Sequence, residues 1–265
     1  MNNFELDKFI SKFNYLANIK YQISNNEFRE LTEEDNVLDI TANLTPLSTI
    51  ASIVLIFENK LTEYNLDDVL KFTKYITDLK LPIIAQFNAD YEFTEADLEI
   101  IKSISLNVIV KTGETLSATA FNTNILNLKK SVTNISAKMF ITKTTFKEVN
   151  KTLELIPRDT AIKIYFDKPF ITVKQYRDIQ QKIIDLQLKS IRVATCFDKH
   201  FNKKTKNLVI MPMDCDACRF SLYIEDNNVY PCEFYKNLEL PIDSNKTLTS
   251  IWMDSKIKKF RKTII

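Results

Sequence analysis

The chain has 265 residues, 45% of them hydrophobic and 26% charged, which are ordinary values for a globular protein with a sizeable core. With 36 basic and 34 acidic residues its formal net charge is +2, so the composition favours neither nucleic acid nor a membrane surface as a partner. Its first residues lack the pattern of a signal peptide. We therefore expect a cytoplasmic protein, in which clustered cysteines are more often metal ligands than disulfides.

Glycine is nearly missing from this chain. The sequence has one, Gly113, where average usage predicts roughly eighteen. Nucleotide-binding loops and dinucleotide folds need several glycines, because the backbone itself approaches the phosphates. The composition therefore excludes kinases, nucleotide hydrolases and Rossmann dehydrogenases of the usual kind.

Three regions follow one another along the chain. Residues 1–35 are predicted to form an N-terminal capping helix region, with a helix over 5–20. Over 36–198, apolar runs of strand length alternate with amphipathic helical patterns. The predicted strands are 37–41, 53–57, 83–87, 107–111, 136–141, 162–166 and 191–195. The predicted helices are 65–80, 94–103, 116–131, 146–156 and 173–186. Strands that are apolar on both faces and separated by helices predict an α/β fold, here a partial (β/α)6-7 TIM-like barrel.

The first βα unit of this pattern is short. Only eleven residues separate the first two predicted strands, barely enough for a parallel crossover with a helix. In α/β barrels the active site lies on the loops that follow the strands, so the shortening falls where chemistry is expected. Residues 199–265 then form a separate region, with a lysine-rich loop, a short strand over 208–211, a cysteine-containing segment and a terminal helix over 248–261.

Three of the four cysteines lie in this last region. Cys215, Cys218 and Cys232 are spaced C-x2-C-x13-C around an alternating strand pattern and a polar turn at 226–228. This pattern predicts a β-hairpin that returns the third thiol to the first two, and thiolates gathered in this way bind zinc or an iron–sulfur cluster. Cys196, at the end of the last predicted barrel strand, is the candidate fourth ligand, although core packing explains it equally well. His200 is a weaker candidate.

The cysteine segment with its flanking residues resembles the SPASM and twitch modules of radical S-adenosylmethionine enzymes. The similarity covers the Cys pair, the Val-Tyr-Pro-Cys ending at Cys232 and a later Leu-Thr-Ser-Ile-Trp at 248–252. Those modules follow a partial α/β barrel and hold auxiliary [4Fe–4S] clusters. The resemblance therefore implies a radical S-adenosylmethionine-type barrel over 36–198 and a SPASM/twitch-like module over 199–265 that holds such a cluster. The family's turn glycine is replaced by Asn, which tolerates positive φ best after Gly.

The same resemblance implies upstream motifs that this chain lacks. The family carries C-x3-C-x2-C after its first strand and Gly-Gly-Glu-Pro after its second. Here no cysteine precedes Cys196, and the second predicted strand is followed by Glu58-Asn59-Lys60-Leu61. The cluster that cleaves S-adenosylmethionine has no ligands, so this cofactor is not expected. The chain thus resembles a degenerate, or pseudo, radical S-adenosylmethionine protein.

The resemblance implies a non-catalytic binding or accessory subunit in the maturation of a ribosomally made peptide. Its partners would be the precursor peptide, an active radical S-adenosylmethionine maturase, or both. Two alternatives stay open: an iron–sulfur enzyme or electron-transfer protein that uses only the auxiliary-type cluster, and a zinc-stapled binding domain. No catalytic residue is predicted, because the single histidine supports no Ser–His–Asp arrangement and the loop carboxylates Glu58 and Glu63 have no partner at a fixed spacing.

Overall fold

A computed structural model gives the structure of the chain and divides it into two compact units, Met1–Ile83 with Asp216–Ile265, and Ile84–Cys215. The predicted domain boundaries at 35/36 and 198/199 lie outside the described residues. The structure describes residues 18–23, 52–57, 60–78, 80, 82–104, 107–112, 117–166, 172–188, 191–195, 221–225, 228–233, 235–241 and 248–264.

The second unit is built on a parallel five-stranded sheet, and this confirms the predicted α/β fold. The strands follow one another in chain order across the sheet: β3 (Ile83–Asn88), β4 (Asn107–Lys111), β5 (Asn134–Ile141), β6 (Ala161–Phe166) and β7 (Ile191–Thr195). Four helices lie between them in the sequence: α2 (Glu95–Ile104), α3 (Ala118–Leu128), α4 (Val149–Leu155) and α5 (Val173–Asp185). A short 3-10 turn, Phe146–Glu148, precedes α4. Each of these elements agrees with its predicted position to within a few residues.

Burial follows a period of two along β3 to β6, except at Gln86, Lys138 and Tyr165, which are buried on the opposite face. On one face Ala85, Val110, Ala137 and Ile164 are completely buried, and this face forms the core under the helices. Residues of the opposite face are mostly half-buried in β4 and β6. The five-stranded sheet therefore has one buried apolar face and one face that carries polar side chains.

The first unit contains a mixed sheet in which β1 (Asn18–Ile23) has a neighbouring strand on each side. This strand runs parallel to β2 (Ser52–Phe57) on one side and parallel to β8 (Ser221–Glu225) on the other. Two further strands, β9 (Asn228–Tyr230) and β10 (Leu240–Pro241), continue antiparallel from β8. The cysteine-containing hairpin is thus joined to the N-terminal strand in one sheet. Helix α1 (Leu66–Asp78) and the 3-10 turn Leu61–Glu63 follow β2.

Strand β1 corrects the prediction of a helix over 5–20, since residues 18–20 are extended. The segment Asn18-Ile19-Lys20-Tyr21-Gln22-Ile23 alternates apolar and polar residues, which suits a strand better than a helix. Residues 1–17, and the predicted strands 37–41 and 208–211, lie outside the described residues. None of the helices in the described ranges combines the length and the apolar character that a membrane span requires.

The predicted terminal helix is in fact two helices, α6 (Leu248–Trp252) and α7 (Ser255–Ile264). Asp254 separates them, because its carboxylate accepts a hydrogen bond from the Lys256 amide at 2.7 Å and so caps the start of α7. The side chains of Trp252 in α6 and Phe260 in α7 are both buried. The Phe260 ring lies 5.0 Å from the ring of Tyr235, which follows the hairpin.

Candidate functional site

Cys232 is the predicted metal ligand that the structure describes. It lies just past β9 and is 7% exposed. Its carbonyl accepts a hydrogen bond from the Tyr235 amide at 3.2 Å, and the two residues form a short antiparallel bridge. Cys196, Cys215, Cys218 and His200 lie outside the described residues. The thiol of Cys232 is therefore held on a tight turn and shielded from water at the end of the hairpin.

The hairpin that carries Cys232 pairs β8 with β9 in the order Tyr223↔Tyr230, Ile224↔Val229 and Glu225↔Asn228. Asn228 is thus the first residue of β9, whereas the sequence predicted it in the turn. Val229 is completely buried, and it also pairs with Leu240 of β10. Because β9 has paired strands on both sides, the backbone leading into Cys232 is fixed by two ladders.

Aromatic rings and one ammonium group cover a face of this hairpin. The rings of Tyr223 and Tyr230 lie 6.2 Å apart across the strands. Nζ of Lys236 lies 5.6 Å from the centroid of the Tyr223 ring and 6.0 Å from that of Tyr230, and it is paired with the Glu225 carboxylate. These contacts tie the segment after Cys232 back to both strands.

The chemistry of Cys232 fits a soft metal, since a thiolate is a ligand for zinc and for iron–sulfur clusters alike. Within the described ranges, no group of three or more His, Cys, Asp or Glu residues lies close enough together to hold a metal ion. Any further ligands for a metal at Cys232 would therefore come from outside the described ranges. Of the two loop carboxylates, Glu63 is exposed in its 3-10 turn, and Glu58 lies outside the described residues.

The sequence analysis missed a row of basic residues that the strand register brings together on the five-stranded sheet. Lys111 of β4 pairs with Lys138 of β5, Lys138 pairs with Lys163 of β6, and Lys163 pairs with Arg192 of β7. We call Lys111, Lys138, Lys163 and Arg192 the basic row. Lys138 is buried, whereas Lys111 and Lys163 are half-buried. The signal in the sequence was one basic residue within each of four apolar strands.

Comparison with known proteins assigns no family. No protein-family model matches the chain, and no curated protein matches it. Among solved structures, the chain is similar to one described as "PhdJ bound to substrate intermediate", with a TM-score of 0.39 and 8% sequence identity; the match covers 78% of this chain and 67% of that chain. A TM-score of this size is too low to assign either a family or an activity.

Proposed function

We propose that this chain is a degenerate radical S-adenosylmethionine protein that acts by binding, as an accessory subunit in the maturation of a ribosomally made peptide. In this proposal the α/β region is a partial barrel of that type, and residues 199–265 form the SPASM/twitch-like module. One observation carries the proposal: the C-x2-C-x13-C spacing ends at Cys232, which is buried at the end of an antiparallel hairpin.

The proposed metal site consists of Cys215, Cys218 and Cys232, with Cys196 as the fourth ligand. A [4Fe–4S] cluster, when bound, would supply an auxiliary redox or structural centre. The role of Cys232 is to present a thiolate on a fixed turn, since both ladders of β9 and the Tyr235 bridge hold its backbone. Its burial keeps water from the sulfur, and the hairpin would tie the Cys pair to the sheet.

The sequence upstream of the cysteines supports a role in binding rather than in radical catalysis. The chain has no cysteine before Cys196, so it offers no ligands for a cluster that cleaves S-adenosylmethionine. Thiolates are the usual ligands of such clusters. The proposed partners are a precursor peptide and an active maturase that performs the radical chemistry.

Anaerobic purification followed by iron, sulfide and zinc analysis tests the metal site. We expect about four irons and four sulfides per chain with broad visible absorption, as for a [4Fe–4S] cluster. Cys232→Ser should lose most of the iron, whereas Ser221→Ala, a buried change in the same hairpin, should retain it. One zinc per chain without colour would instead support a zinc-stapled domain, and no metal in the anaerobic protein would overturn the metal site.

Affinity capture from the native host tests the partner. The tagged chain should recover a radical S-adenosylmethionine enzyme that has the C-x3-C-x2-C motif, or a short ribosomally made peptide, identified by mass spectrometry. Recovery of neither, from cells that express the chain at its natural level, would contradict the accessory role. The result would leave the metal analysis unaffected, so the two parts of the proposal can fail separately.

A further inference from the structure

We propose that the basic row on the five-stranded sheet is a binding site for a small molecule that carries a phosphate group. This site lies within the second unit, and it is independent of the cysteines and of the accessory role proposed above. It rests on the strand register, on the burial of Lys138 and Gln86, and on one buried amide donor that finds no acceptor among the described residues.

The register concentrates positive charge on this sheet. Neighbouring strands lie about 4.8 Å apart, so four consecutive strands place the backbones of the basic row within about 15 Å. Like charges opposite each other on adjacent strands repel and destabilise a sheet. The five strands themselves contain no Asp or Glu. An anion lying against the row would offset this repulsion.

Lys138 is the most deeply buried member of the row, at 5% exposed. Its Nζ donates a hydrogen bond to Oε1 of Gln86 at 3.3 Å and lies 5.4 Å from the centroid of the Tyr165 ring. Nζ of Lys163 lies 4.9 Å from the same ring. Two ammonium groups therefore gather around one aromatic side chain, in surroundings where electrostatic attraction to an anion is stronger than in water.

The side-chain amide of Gln86 supports the site independently of the lysines. Its side chain is 1% exposed, and no acceptor for its Nε2 is found among the described residues. A buried donor without an acceptor is costly. Because Oε1 of the same amide already accepts from Lys138, the unused N–H group lies beside a buried ammonium. An oxygen atom bound here would accept from both groups.

Phosphate is the oxyanion that this arrangement suits best. Both side-chain types of the row bind phosphate, lysine as a point charge and arginine through a fork that matches phosphate as well as carboxylate. A chain with one glycine cannot build the usual backbone cradle for phosphate, and side-chain cations supply the alternative. The half-buried setting of Lys111 and Lys163 favours a compact ligand over a macromolecule.

Titration of the whole protein with inorganic pyrophosphate by calorimetry, at constant ionic strength set with chloride, tests the site. We expect saturable binding at one site per chain, and about tenfold weaker binding or more for Lys138→Gln and for Lys163→Gln. The matched control is Lys174→Gln, which removes the same charge from an exposed position on α5 and should bind as the wild type does. Lys163 is only half-buried, so its variant tests the site even if Lys138→Gln fails to fold.

Three outcomes would overturn the proposal. The first is the absence of a saturable heat of binding when pyrophosphate is added. The second is an equal loss of binding in the Lys174→Gln control, which would indicate general charge attraction. The third is tighter binding of citrate than of pyrophosphate, which would assign the row to carboxylates. A further supporting result is weaker pyrophosphate binding in Gln86→Leu, since that variant removes the amide donor and no charge.

Discussion

Lys138 of β5 donates a hydrogen bond from Nζ to Oε1 of Gln86 in β3, although 52 residues of sequence and the whole of β4 separate the two. Both side chains are almost completely buried. Lysine is seldom buried to this degree unless it is paired. The contact joins two strands that are not neighbours, and it fixes the centre of the polar face of the sheet.

A double-mutant cycle measures this contact. Gln86→Leu removes one acceptor from the buried ammonium of Lys138 and should lower the free energy of unfolding by about 2 kcal/mol. Lys138→Met leaves the Gln86 carbonyl oxygen without its donor and should cost about 1 kcal/mol. The double variant should be more stable than the sum of the two losses predicts, by about 1 kcal/mol. Urea unfolding of the four proteins gives these values, and strict additivity would show that the two side chains are not coupled.

Cys232 should contribute differently to stability in the presence and absence of metal. In protein treated with a chelator, Cys232→Ala removes one buried thiol and should cost about 1 to 2 kcal/mol through lost packing. In protein loaded with metal the loss should be larger, because metal binding adds to the free energy of folding.

Thermal unfolding with and without chelator measures this difference. Val229→Ala is the matched control, because Val229 is fully buried in the same hairpin and has no metal-binding atom. Its melting temperature should fall by the same amount in both conditions. An equal loss for Cys232→Ala in both conditions would show that its sulfur is a packing group alone.

Local patterns were enough to predict the parallel sheet. The strands of the second unit are short apolar runs separated by amphipathic helical patterns, and their existence depends on neighbours in the sequence. Strand β1 was missed because its first three residues also fit the end of a longer amphipathic pattern, the predicted helix over 5–20. Its extended form depends on pairing with β2 and β8, which are distant in sequence.

The two candidate sites differ in how far they can be predicted from the sequence. Cys232 could be found because its spacing to Cys218 is a local property of one segment. The basic row could not, because Lys111, Lys138 and Lys163 become neighbours only through the register of three strands. Each lysine alone resembles an ordinary strand residue near a surface. A register follows from packing between distant segments, and one sequence does not specify it.

The helix caps of the second unit should differ in strength because their burial differs. At α2, Oδ2 of Asp97 accepts from the amide and the hydroxyl of Thr94 at 2.8 and 2.7 Å, and Oδ1 accepts from the Tyr91 hydroxyl. At α5, Thr172 and Gln175 form a capping box in an exposed position. Asp97→Ala should cost about 3 kcal/mol, since it removes the acceptor of the buried Tyr91 hydroxyl together with both Thr94 contacts, and Thr172→Ala should cost about 1 kcal/mol. Urea unfolding of the two variants checks the order, and a larger loss for Thr172→Ala would contradict it.

Tyr176 should make the protein less stable in alkaline solution. It lies on α5, is 1% exposed and has its ring centroid 6.2 Å from that of Phe166. Burial raises the pKa of its hydroxyl above the ordinary value of 10.0, because desolvation disfavours the phenolate. Below pH 10 the group is protonated in both the folded and the unfolded chain, so it adds no pH dependence there.

Above that pH the unfolded chain releases this proton while the folded chain keeps it, so the free energy of unfolding falls as the pH rises. The contribution of this group is up to about 1.4 kcal/mol per pH unit. Tyr176→Phe removes the hydroxyl and should flatten this part of the pH dependence, whereas Tyr91→Phe changes a tyrosine bonded to Asp97 and serves as the comparison. Urea unfolding at about pH 8 and about pH 11 measures both variants. Parallel slopes for the wild type and Tyr176→Phe would show that the hydroxyl ionises alike in both states, because only a pKa difference between the two states can produce a slope.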